Sequence, residues 1–67
     1  MGRKHRFDVD RVLAYLKRVG PLSTVILAAK FEYTQAAVLN NLNKLALEGI
    51  VEFTIDRYRR SKIWRVK

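Results

Sequence analysis

The sequence predicts an α+β domain of three helices followed by a C-terminal β-hairpin. Two observations carry this expectation. Apolar residues recur at helical spacing through three segments before Gly49, and from Ile50 onward the period switches to two. Breaks at Gly20-Pro21, Glu32-Tyr33 and Gly49 punctuate the helical part.

The first helix is expected from Phe7 to Val19. Asp8 suits its N-cap, and Val9, Val12, Leu13 and Leu16 fall at i, i+3, i+4 and i+7 on one stripe. Phe7 and Val12 stand where a hydrophobic staple would form. Lys17 and Arg18 suit the negative end of the helix dipole, and Gly20-Pro21 stops it. Ser23 or Thr24 then caps a two-turn helix ending near Lys30, with Leu27, Ala28 and Phe31 inward. Thr34 caps a third helix, Gln35 to Glu48, whose core stripe is Val38, Leu42 and Leu45; Gly49 is its C′ residue. In the hairpin Val51, Phe53 and Ile55 share one face, and Glu52, Thr54 and Asp56 the other. After the turn, Trp64 and Val66 point one way, and Ile63, Arg65 and Lys67 the other. Trp64 is expected to anchor the hairpin in the core.

Sixty-seven residues make one domain, near the lower limit for folding unaided. The chain has no cysteine, so neither disulfides nor a cysteine-ligated zinc site can staple it. No apolar run reaches membrane-span length and the N-terminus lacks a signal-peptide stretch, so no membrane partner and a cytoplasmic location are expected. One histidine, no paired-carboxylate constellation and no glycine-rich phosphate loop argue against an enzyme; no catalytic residue, metal or cofactor is assigned.

The net charge of +8 is unevenly distributed. Residues 1–6 form a basic arm with Arg3, Lys4 and Arg6, and residues 57–67 carry six of the fourteen basic side chains and no acid. The body between them, residues 7–56, has five basic and six acidic residues. Charge concentrated on two ends of a nearly neutral body points to a polyanionic partner.

The stretch from Pro21 to Val51 resembles the winged helix-turn-helix of bacterial and archaeal transcription regulators. The likeness is carried by the Leu27-Ala28 pair, the Thr34 cap, Val38, Leu42 and Leu45, and the exit Glu48-Gly49-Ile50-Val51. It extends over about residues 8–67, with an arm at 1–6 and the domain at 7–67, and identifies no subfamily. Glu32 departs from the pattern, standing at the turn where the family often has glycine.

The resemblance implies a double-stranded DNA-binding protein, either a sequence-reading transcriptional regulator or an architectural protein, with its third helix in the major groove and a basic wing on phosphates or the minor groove. Base-reading candidates are Gln35, Ala36, Asn40, Asn41, Asn43 and Lys44; Asn and Gln pair bidentately with adenine. Wing candidates are Arg57, Tyr58, Arg59, Arg60 and Lys62, crowding the expected hairpin tip. Val25, Ile26, Ala29 and Leu47 point away from the expected core, which makes them a candidate partner patch and raises a homodimer as a candidate assembly. With no separate sensor domain, no small-molecule effector is expected. The competing classes are an RNA- or ribosome-associated winged helix and a winged-helix protein-interaction module.

Overall fold

A computed structural model describes residues 7–58 and 60–67 of the chain. Arm residues Arg3, Lys4 and Arg6 and the hairpin residue Arg59 lie outside the described residues. The architecture is α+β: helices α1 (Val9–Val19), α2 (Thr24–Phe31) and α3 (Gln35–Leu47), with strands β1 (Leu22–Ser23), β2 (Val51–Ile55) and β3 (Lys62–Val66). The strands form one antiparallel sheet in the order β1-β3-β2.

Each helix begins where a short polar side chain can satisfy an orphan amide. The carboxylate of Asp8 accepts from the Arg11 N–H, the Ser23 hydroxyl from Ile26 and the Thr34 hydroxyl from Ala37. Ser23, rather than Thr24, therefore caps α2. The α1 start has a second support: the Tyr33 hydroxyl accepts from the Asp8 N–H at 2.9 Å, and the Tyr33 ring lies 5.0 Å from that of Phe7. Tyr33, expected only as part of a break, thus braces the start of α1 beside Phe7, which packs against the core cluster that contains Val12.

The turn between α2 and α3 explains the departure at Glu32. Its backbone adopts the left-handed conformation, φ 60° and ψ 37°, which glycine enters without steric cost. The chain keeps the turn that glycine would make and accepts local strain in doing so. At the end of α3 the same conformational demand is met by Gly49, at φ +80°.

The core is one cluster: Val12, Leu16, Leu27, Ala28, Val38, Leu42, Leu45, Val51 and Trp64. Every helix contributes the stripe its sequence spacing assigns. Beside it runs a chain of rings, Tyr15 edge-on to Phe31 and Phe31 stacked near Tyr33, which ties α1 to the end of α2. Arg11 lies over the Phe31 ring and Lys30 over that of Tyr15.

Strand β1 was not legible as a strand. Two residues carry no period, and their role comes entirely from pairing with β3, Leu22 opposite Trp64 and Ser23 opposite Ile63. Pairing makes β3 the central strand and places Trp64 between Leu22 and Phe53. The Trp64 side chain is fully buried, and its indole N–H donates to the Thr24 hydroxyl at 2.8 Å.

Strand β2 is an edge. Its register with β3 and the bonds Asp56 N–H to Ser61 C=O and Lys67 N–H to Ile50 C=O fix the alternation of the ladder. Glu52 and Thr54 therefore bond inward to β3, while the main chain of Val51, Phe53 and Ile55 faces the open side. Val51 is covered, but Phe53 and Ile55 are 40% and 55% exposed. On the solvent face Arg65 forms an ion pair with its cross-strand neighbour Glu52.

Two expectations follow. Thr24→Val leaves the buried indole N–H without an acceptor and lowers stability by about 1–3 kcal/mol in denaturant unfolding, whereas Thr24→Ser retains most of it. Glu32→Gly relieves the left-handed strain and raises the unfolding free energy by about 0.5–1 kcal/mol, an increase that Glu32→Ala does not reproduce.

Candidate nucleic-acid interface

Helix α3 contains no acidic residue between Gln35 and Leu47. Its core stripe turns Val38, Leu42 and Leu45 inward, which leaves Ala36, Asn40, Lys44 and Leu47 along the most exposed line. Gln35 is exposed at the first turn, and Leu39 and Asn43 lie half-buried on the flank facing the hairpin.

The predicted base-reading residues divide by what their side chains already do. The Asn41 amide donates to the Ala37 carbonyl at 2.7 Å, a bond within the helix surface. The Asn43 carbonyl oxygen accepts from Lys62 Nζ at 3.1 Å. Gln35 and Asn40 bond to no other described residue through their side chains, so these two present unengaged amides to solvent.

Lys62 departs from the expected position at the hairpin tip. As the first residue of β3 it lies on the inner face, opposite Ile55, with Nζ 4.3 Å from the Phe53 ring centre and 5.5 Å from that of Trp64. Its four-carbon stem spans the apolar face while its ammonium reaches Asn43. Lys62 thus fastens the hairpin to α3. The sequence signal for this was its parity with Trp64 and Val66, which puts it on the inward face.

The turn itself is ordered by Asp56. Its carboxylate accepts from the Tyr58 N–H at 2.9 Å, its carbonyl accepts from the Arg60 N–H at 2.7 Å, and Arg60 takes a left-handed φ of 55°. Tyr58 is 95% exposed at the apex. The guanidinium groups of Arg57 and Arg60 make no ion pair or hydrogen bond among the described residues.

Between α3 and the hairpin lies an open cleft of about 350 Å³. The first residues of α2 and α3, Thr24, Val25, Gln35 and Ala36, form one wall with Leu39, and Arg60, Ser61 and Lys62 form the other. Residues from the first turns of two helices therefore share this space with two basic residues of the hairpin, Arg60 and Lys62.

The candidate partner residues Val25, Ile26, Ala29 and Leu47 are all exposed, the first three on α2 and Leu47 at the C-terminal end of α3. Val25 belongs to this cleft, at the N-terminal end of α3. Leu47, 88% exposed, stands at the other end of that helix, roughly 18 Å away along its axis.

Among the described residues no group of His, Asp and Glu could hold a metal ion, and no helix is long and apolar enough to cross a membrane. Compared with known protein families, curated proteins and solved structures, the chain gives no match.

A double-mutant cycle tests the fastening. Lys62→Met and Asn43→Ala, measured singly and together by denaturant unfolding, are expected to show a coupling of about 0.5–1.5 kcal/mol. Additive effects would mean that the bond contributes nothing to holding the hairpin on α3.

Proposed function

We propose that this chain binds double-stranded DNA in the manner of a winged helix, with α3 in the major groove and the hairpin as a wing on the adjacent backbone. The observation that carries the reading is the cleft, where the acid-free, amide-bearing start of α3 faces the cationic turn of the hairpin. Three helices followed by a hairpin, with a short third strand between α1 and α2, are compatible with that layout.

The two walls would do different work. Gln35, Ala36 and Asn40 on the exposed line of α3 would meet base edges, where amides and a methyl group discriminate. Arg57 and Arg60 would meet phosphates, which fix register but carry little sequence information. Arg59, between β2 and β3 in the sequence, and Arg3, Lys4 and Arg6 in the N-terminal arm add further cationic charge. Because α3 between Gln35 and Leu47 contributes only Lys44 as a cation, most of the electrostatic affinity would come from the hairpin and arm. In this reading the protein is a transcriptional regulator or an architectural DNA-binding protein, and selection of bound sites from a random duplex pool separates the two. A sharp motif identifies a regulator; binding without a motif identifies an architectural role.

Salt-dependent affinity provides the direct test. Replacing both Arg57 and Arg60 by Ala is expected to weaken binding to every duplex alike and to reduce the slope of log K against log salt by about 2. Asn40→Ala is expected to change sequence preference while leaving the slope unchanged. An affinity untouched by the paired arginine substitution, or a stronger preference for structured RNA at matched salt, would reject the proposal.

A further inference from the structure

The cleft is chemically asymmetric. Val25 at the start of α2 and Ala36 and Leu39 on α3 give it an apolar wall, while Arg60 and Lys62 give it a cationic one. A phosphate needs only donors, so the apolar wall requires another explanation. Val25 is 49% exposed and Ala36 is exposed, so both side chains are available to a ligand.

The major-groove edge of duplex DNA presents one apolar group, the C5 methyl of thymine. Its partner adenine presents an N7 acceptor and an N6 donor, which a carboxamide matches bidentately. Gln35 adjoins Ala36 in the cleft, and Asn40 lies one helical turn beyond Ala36 on the exposed line. These are the two amides of α3 that no other described residue engages. Guanine recognition calls for Arg or Lys on the reading surface, and the one cation of α3, Lys44, lies a turn beyond Asn40 and outside the cleft.

We propose that the α3 surface reads A·T pairs in the major groove, with the thymine methyl seated on Val25, Ala36 and Leu39 and the adenine edge held by Gln35 or Asn40. This rests on the duplex-DNA reading above and names the base pair it selects. It gives Val25 and Leu39, neither of them polar, a share in specificity. It also separates the two walls by groove: the methyl is reachable only from the major groove, so a protein held by its hairpin alone would be indifferent to it.

The test is fluorescence anisotropy at one salt concentration with three duplexes of equal length: A·T-rich, the same duplex with deoxyuridine replacing thymidine, and G·C-rich. The wild-type protein is expected to bind the A·T duplex about tenfold more tightly than the G·C duplex, the discrimination of one bidentate pair. Deoxyuridine should weaken wild-type binding several-fold. Val25→Ser, which removes both methyl groups at an exposed position, should lose much of that difference between thymine and uracil while retaining the salt slope. Equal wild-type binding of the thymine and uracil duplexes, or a preference for the G·C duplex, would overturn the inference while leaving DNA binding intact. Failure to bind any duplex would overturn the parent proposal with it.

Discussion

The fold depends on one buried side chain, Trp64. It sits in the middle of the central strand with Leu22 on one side and Phe53 on the other, and its ring is inaccessible to solvent. Burying an indole removes roughly 200 Å² from water, on the order of 5 kcal/mol before the cost of ordering the chain. Its N–H must also find an acceptor, and the Thr24 hydroxyl, forty residues away in sequence, supplies it. That single bond fixes the start of α2 against the base of the hairpin. Thr24 also lines the cleft between α3 and the hairpin, so the shape of that cleft depends on the seating of Trp64.

The cations of this protein have distinct duties that a charge count does not reveal. Arg11 and Lys30 lie over rings that join α1 to α2, and Arg65 is paired with Glu52. Lys62 bridges the hairpin to α3. Of the described hairpin cations, Arg57 and Arg60 extend from the turn with no ion pair or hydrogen bond from their guanidinium groups to another described residue. The hairpin's basic residues are therefore partly structural and partly presented outward, and only geometry distinguishes the two.

Helix positions and core stripes were legible because both rest on local signals: a capping side chain, a 3.6-residue period and a stop. Val38, Leu42 and Leu45 are buried as their spacing requires, and Trp64 and Val66 face inward as their parity requires. Features that depend on distant partners were not legible. The two residues of β1 become a strand only because β3 lies beside them, and Thr24 becomes an acceptor only because Trp64 arrives there. The same limit applies to the candidate interface. The amide cluster on α3 was visible in sequence, but not that Asn41 and Asn43 are engaged within the protein while Gln35 and Asn40 are not. Val25 is exposed on α2 as its spacing indicates, but nothing in its own segment shows that it also lines a cleft with α3 and the hairpin.

The open edge of β2 gives the net charge a colloidal meaning. Phe53 and Ile55 turn main-chain donors and acceptors toward solvent beside exposed apolar side chains, the kind of edge on which two copies can join. Strand β2 itself carries neither lysine nor proline to guard that edge. At +8 per chain, long-range repulsion between copies takes over the task. Such protection is conditional, because it shrinks with the screening length as ionic strength rises and vanishes once a polyanion neutralises the surface. Repulsion between copies at this edge thus depends on the counterions as much as on the sequence.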